Sequence, residues 1–223
     1  METLSEANKI KVSLYKKLFK ELKQSYIAVP ELSLFSAIAD MVVVNGDIHI
    51  YEIKSKSDSL SRLKNQLDRY KKCAHKVTIV ADEKFIPSLI KNPEIENIGI
   101  ISVNSNMKLR HIKEAPALTM SPYNYLAYWT ITELRSSLRG IDGYTKMSSE
   151  KVKKMFLSLL NDDEIRKVTI HKIKEQYGFE FLERKRLIEK EQFSQALESR
   201  FKGMPPKQVT PLKLLPAYLF RDF

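Results

Sequence analysis

Apolar residues Ile10, Val12, Leu14, Leu18, Phe19 and Leu22 recur at helical spacing between residues 5 and 25, with lysines filling the intervening face. That pattern predicts an amphipathic helix packed on a core. Pro30 interrupts, and residues 31–35 read as a short extended piece. From Asp40 to Lys54 two β-branched runs flank Asn45-Gly46, a strong short-range hairpin signal. Ser57 or Asp58 is placed to cap a helix running to about Cys73, with Leu60, Leu63, Leu67 and Tyr70 on one side. Residues 76–80 and 98–103 are continuous apolar strands, and residues 83–91 between them form a helix ending near Pro93. Helix, hairpin, helix, strand, helix, strand is the order of an α/β layer with a mixed sheet.

Beyond Pro116 the character changes, and no strand is expected after Met120. Helices are predicted near 122–139, 148–160, 162–177 and 180–201, divided by Gly140 with Gly143, by Asn161 and by Gly178. Ser148 and Asn161 stand where N-caps belong. Pro205, Pro206, Pro211 and Pro216 exclude regular helix at the end, which reads as an extended tail docking Leu214, Leu215, Tyr218 and Phe220. The expected division is an α/β domain over residues 1–116 and a mostly helical domain over residues 117–223.

The chain of 223 residues is 29% charged and 43% hydrophobic, a globular composition. It contains no apolar run of the roughly 20 residues a bilayer requires. The Met-Glu-Thr-Leu-Ser-Glu start lacks the layout of a signal peptide, so the cytoplasm is the expected compartment and no membrane partner is expected. A single cysteine, Cys73, excludes an internal disulfide framework and a cysteine zinc cluster; it reads as a small buried hydrophobe. Lysine and arginine number 38 against 27 acids, a formal charge of +11, which favours polyanions and nucleic acid in particular.

The chemistry concentrates on the hairpin. Alternate strand residues share a face, so Glu52 and Lys54 point together, with Ile48 and Ile50, while Ile53 points the other way. A carboxylate and an ammonium in a strand apolar on both faces are costly unless paired, metal-bound or at an open strand end. Whether Asp40 joins them depends on the turn. A two-residue Asn45-Gly46 loop sets Asp40 opposite Tyr51, on the wrong face. A three-residue loop, either Val44-Asn45-Gly46 or Asn45-Gly46-Asp47, brings it to the Glu52 face, and an odd loop is expected. Asp40 and Glu52 then form a hard oxygen pocket for Mg²⁺ or Mn²⁺, with the Ile53 carbonyl as a further ligand. Lys54 is placed to position a water and to stabilise charge on the transition state.

Asp40, eleven residues, then Glu52-Ile53-Lys54 resembles the PD-(D/E)XK nuclease superfamily, and Gln66-Leu-Asp-Arg-Tyr70 resembles the Gln-x-x-x-Tyr element of its RecB-like and Cas4-like branches. Residues 39–81 resemble small bacterial and phage-borne members with a helical C-terminal half. Ala39 stands in place of the proline of the motif. The resemblance implies a restriction-endonuclease-like mixed sheet flanked by helices. It implies hydrolysis of DNA phosphodiesters, as endonuclease or exonuclease, in a phage, defence or repair setting. Asp40 and Glu52 would hold the ion, Lys54 would complete the reaction centre, and Gln66 and Tyr70 would orient substrate or water. Glu31 is the candidate for the upstream glutamate that completes the metal shell in many members. Two other readings stand beside it: a non-catalytic nucleic-acid- or partner-binding protein on a nuclease fold, and one subunit of a restriction or anti-phage assembly. The partners in view are DNA, a second copy of the chain, or a neighbouring gene product.

Plainer readings accompany these residues. Glu-x-Lys alone is an ordinary cross-strand ion pair, Arg62 an ordinary solvated helix residue, and Tyr70 a core side chain. The four histidines share no metal-ligand spacing, and His49 lies on the face opposite Glu52. Lys151, Lys153, Lys154, Arg166, Lys167, Lys172, Lys174, Arg184, Lys185 and Arg186 fit solvated positions on a helical cap better than a helix-turn-helix across Asn161. Trp129 with Tyr123, Tyr125 and Tyr128 reads as an anchor between the halves.

Overall fold

The structure is a computed structural model, and it describes residues 4–22, 25–35, 37–198 and 209–219. Helix α1 (Glu6–Glu21) starts at Ser5, whose hydroxyl accepts from the N–H of Asn8 at 3.2 Å. Its buried face carries Ile10, Leu14, Tyr15 and Leu18, and also Lys11, which departs from the expectation of lysines only on the wet side.

Six strands form one sheet in the order β1 (Ile27–Leu34), β2 (Ala37–Asn45), β3 (Asp47–Lys54), β4 (Lys76–Asp82), β5 (Gly99–Val103), β6 (Leu109–Lys113). β1–β2–β3 and β5–β6 pair antiparallel, and β3–β4–β5 pair parallel, so the expected mixed sheet is present. Helix α2 (Leu63–Cys73) makes the first parallel crossover and α3 (Ile86–Ile90) lies in the second. Pro30 does not interrupt. It sits inside β1, opposite Met41, and β1 lies at the sheet edge, where a missing N–H can face outward.

Three local readings change. β6 is a strand without a strand pattern: its Leu-Arg-His-Ile-Lys run lacks alternation, as an edge strand with two exposed residues and three half-buried ones allows. The turn before it is held by Asn104, whose side chain accepts from the N–H groups of Asn106 and Lys108. Asp58 caps a turn rather than a helix: its Oδ2 accepts from the Ser55 N–H at 2.8 Å and the Ser55 hydroxyl at 2.6 Å. Helix α2 therefore begins only at Leu63, without a side-chain cap.

In the C-terminal part, Pro122–Tyr128 is 3-10 helix and breaks at Trp129. Thr130 then opens α4 (Ile131–Ser137) through a capping box with Glu133. Ser148 caps α5 (Ser149–Ser158), and Asn161 caps α6 (Asp162–Glu189). Gly178 divides nothing: α6 runs 28 residues through it. A mid-helix glycine costs about 1 kcal/mol relative to alanine. Buried Ile165, Val168 and Ile173 before it and Phe181, Leu187 and Ile188 after it outweigh that. After α7 (Phe193–Ala196) the predicted helix end at Phe201 lies outside the described residues, as do Pro205, Pro206, Phe220 and the Tyr218 side chain. Leu215 is half-buried, but Leu214 does not dock; it is 65% exposed, and Leu219 is buried instead.

One hydrophobic cluster joins sheet and helices. Trp129 Nε1 donates to Thr169 Oγ1 at 3.0 Å, Tyr128 OH to the Cys73 carbonyl at 2.5 Å, and Tyr125 OH lies 2.9 Å from His75 Nε2. The aromatic anchor is thus present, except that Tyr123 is exposed. Two of the lysines and arginines expected in solvent are buried. Lys172 donates to the Tyr128 carbonyl and to Glu133, and Arg184 is held by Glu180 and the carbonyls of Ala196 and Glu198. Among the described residues no helix is long and apolar enough to cross a membrane.

Candidate active site

The β2–β3 ladder runs from Asn45↔Asp47 to Met41↔Tyr51, with Gly46 at the apex in the left-handed region, φ 73°. This is the Asn45-Gly46-Asp47 alternative of the odd loop. Extending the register one step sets Asp40 opposite Glu52, so both side chains belong to one face. The ladder itself stops at Tyr51. Beyond it the Ile53 N–H is taken by the carboxylate of Asp40, Oδ2 at 2.7 Å, in place of a backbone carbonyl of β2. In a strand the N–H and C=O of one residue point to the same edge, so the Ile53 carbonyl faces the same fork.

β1 opens the fork on its other side. Its ladder with β2 pairs Pro30↔Met41 and Leu32↔Ala39 but skips the Glu31–Asp40 step, where Glu31 has φ 52°. A non-glycine residue there is strained and cannot continue the ladder. The Glu31 carboxylate pairs with Lys11 Nζ of α1 at 2.6 Å rather than joining Asp40 and Glu52. Among the described residues no group of three or more His, Cys, Asp and Glu side chains is arranged to hold an ion. Glu31, the candidate third metal ligand, stands at the step opposite Asp40 with its carboxylate bonded to Lys11. Lys11 is the residue that sequence reasoning missed. Its only signal was a lysine between Ile10 and Val12 on the apolar side of α1.

Glu52 is buried at the end of β3 and lies against α2. Its Oε1 accepts from Lys54 Nζ at 2.8 Å and from Gln66 Nε2 at 2.6 Å. Its Oε2 is 2.9 Å from the Tyr70 hydroxyl, which also lies 2.8 Å from the Ile38 carbonyl. Lys54 Nζ bonds Gln66 Oε1 at 3.0 Å, closing the cycle. Gln66 and Tyr70, one turn apart on α2, thus both reach the Glu52–Lys54 pair. Tyr70 is at once core and site: its ring is fully buried and its hydroxyl ends on the carboxylate.

Burial first, and the charge of Glu52 second, push the Asp40 carboxyl up to about 6; the Ile53 N–H, Lys11 and Lys54 pull the other way. Burial, followed by the charge and hydrogen bond of Glu52, raises the Tyr70 hydroxyl and keeps it a donor. His49 is structural: its Nε2 lies 2.7 Å from Thr78 Oγ1, its ring stacks on Tyr51, and burial lowers its pKa to about 3. Cys73 is a buried free thiol pushed up to about 11 by burial.

In donor type, Asp40 and Glu52, which share a face beside the opened strand fork, suit a hard divalent cation, and the charge of Glu52 that raises the Asp40 carboxyl is what a cation would relieve.

A profile of the family described as bacteriophage P4 protein cII matches residues 1–198. The chain belongs to that family. Protein cII of Enterobacteria phage P4 is 28% identical over 186 residues, covering 79% of this chain and 70% of its own length. Among solved structures, a protein of unknown function from Silicibacter pomeroyi, SPO1766, aligns with a TM-score of 0.44 at 16% identity, over 55% of this chain and 80% of that one. The span matched by the family takes in Asp40, Glu52, Lys54, Gln66 and Tyr70 and both the sheet and α6.

Proposed function

We propose that this cII-family protein is a divalent-cation-dependent DNA nuclease with a restriction-endonuclease-like core of the PD-(D/E)XK type. The observation that carries the proposal is the hairpin register: Asp40 and Glu52 share a face at an open fork, with Lys54 on Glu52. Asp40, Glu52 and the Ile53 carbonyl would hold Mg²⁺ or Mn²⁺. When bound, such an ion supplies a Lewis acid to the scissile phosphate and lowers the pKa of a coordinated water.

The protein's own residues do the rest. Lys54 presents an ammonium, held by Glu52 and Gln66, to the negative charge that grows on the phosphate. Gln66 and Tyr70 fix the rotamer of Glu52, so its position is set before substrate arrives. Asp40, bonded to the Ile53 N–H, keeps the fork from closing into a regular ladder. The net charge of +11 raises the local concentration of the polyanionic substrate.

The test is incubation of supercoiled and linear DNA with the protein and Mg²⁺ or Mn²⁺, with and without chelator. Metal-dependent nicking of the circle supports an endonuclease, and shortening of the linear form alone supports an exonuclease.

One observation favours a non-catalytic binding role instead. Both oxygens of Glu52 are already satisfied by Lys54, Gln66 and Tyr70, and Glu31 is turned to Lys11. DNA binding without cleavage under every metal would support that role, and cleavage appearing only with a neighbouring gene product would make the chain one subunit of an assembly.

A further inference from the structure

The face that carries Asp40 and Glu52 is covered at one end of the β1–β2 hairpin and open at the other. On β1, Ile27 and Val29 are buried while Glu31 and Ser33 are exposed; on β2, Val44 and Val42 are buried while Ile38 is exposed. All of these share the face of Asp40 by the cross-strand register. The way into the site therefore passes the hairpin tip.

Two large apolar side chains stand at that tip without cover. Ile38 is 62% exposed and Phe35 is 57% exposed. Ile38 lies two residues from Asp40 on the same face, about 7 Å along the strand. Its position is fixed by the site itself, because its carbonyl is 2.8 Å from the Tyr70 hydroxyl that also reaches Glu52. Phe35 sits in the turn with φ 50°, a conformation that a bulky residue rarely adopts. On α2, Tyr70 and Gln66 both reach Glu52, and one turn before Gln66 the N-cap residue Arg62 is exposed. Two exposed apolar side chains thus stand at the hairpin tip beside the Asp40 face, and an exposed guanidinium stands one helical turn beyond Gln66.

We infer that Phe35 and Ile38 form a base-contacting lip that admits DNA with unpaired bases, while Arg62 takes the backbone phosphate. Paired bases hide their faces in the stack, so an exposed ring beside the site has nothing to stack on in an intact duplex. In a single strand or a frayed end every base offers a face, and stacking is tolerant of sequence. The inference rests on the nuclease reading for its chemistry and names the substrate class of that site.

Binding measured in chelator separates the two ideas, because no cleavage is then needed. The anisotropy of a 20-nucleotide single strand and of a 20-base-pair duplex is titrated at one salt concentration with the wild type and with Phe35→Ala/Ile38→Ala. The wild type is expected to prefer the single strand, and the double variant to lose on the order of tenfold on it but less than about twofold on the duplex. Arg62→Ala should weaken both forms alike. Phe35→Trp provides a second readout. The native chain has one tryptophan, Trp129, which is buried, so emission quenched by single strands but not by duplex reports stacking at the tip. Equal loss on both DNA forms, no loss on the single strand, or a wild-type dimer that the double variant turns into a monomer would overturn the lip. Absence of cleavage with Mg²⁺ and Mn²⁺ would sink the nuclease reading while leaving this binding result to stand or fall by itself.

Discussion

The Tyr70 hydroxyl stands 2.9 Å from Glu52 Oε2, tying the aromatic side chain of α2 to the carboxylate at the end of β3. Tyr70 is buried in the core, so the same packing that docks α2 on the sheet sets the rotamer of the acid. Fold and site share this contact, and the consequences can be measured.

Tyr70→Phe keeps the ring and removes the hydroxyl. It should cost about 1.5–3 kcal/mol in urea unfolding, the worth of a hydrogen bond to a charged group. Its cleavage rate should fall more than its DNA affinity, because Glu52 loses its fixed position. A stable variant with unchanged rate would separate Tyr70 from the site.

Lys54→Ala should reduce plasmid cleavage by at least about 100-fold while changing duplex affinity less than about threefold at matched salt. It should also destabilise the fold, since Glu52 stays buried with only Gln66 and Tyr70 as donors. Single-turnover kinetics and anisotropy read the two effects independently. Wild-type rates in the variant would remove Lys54 from the reaction.

Asp40 sets the pH dependence. Its folded-state carboxyl is raised from 3.8 to about 6 by burial and by Glu52, so the folded protein holds this proton more tightly than the unfolded chain. The resulting stabilisation is complete below about 3.8 and is lost as pH rises through about 6, by about 2–3 kcal/mol. Asp40→Asn retains an acceptor for the Ile53 N–H but does not titrate. The stability difference between wild type and Asp40→Asn, from urea unfolding at pH 4 to 7.5, should therefore move in favour of the variant across that window. A flat difference would contradict the assigned burial and charge.

On the proposed function, the same carboxylate would also govern cation binding. At pH 7.5, with Asp40 ionised, millimolar Mn²⁺ should raise the unfolding temperature of the wild type, following mass action on the folded state alone. The shift should shrink at pH 5 and vanish in Asp40→Asn. An equal shift in the variant would place the ion elsewhere.

Much of this was written in the order of residues. Alternation on β3 put Glu52 and Lys54 on one face, because side chains in a strand alternate whatever surrounds them. Glycine after Asn45 demanded a hairpin, and the spacing of Gln66 and Tyr70 demanded a shared helix face. Those are local rules, and here local rules sufficed for the mixed sheet and for which side chains could meet. Other features were settled between elements. Lys11 and Glu31 are twenty residues apart in the chain and joined only when α1 packs beside the strained step in β1. Gly178 reads as a stop, but α6 passes through it because burial on either side outweighs its intrinsic cost. β6 has no strand pattern of its own and exists because β5 offers an edge to pair with. The choice between two odd turns, and with it whether Asp40 stands directly opposite Glu52 or opposite Ile50, depended on the register that packing of both sheet faces permits, a quantity that no short window of sequence contains.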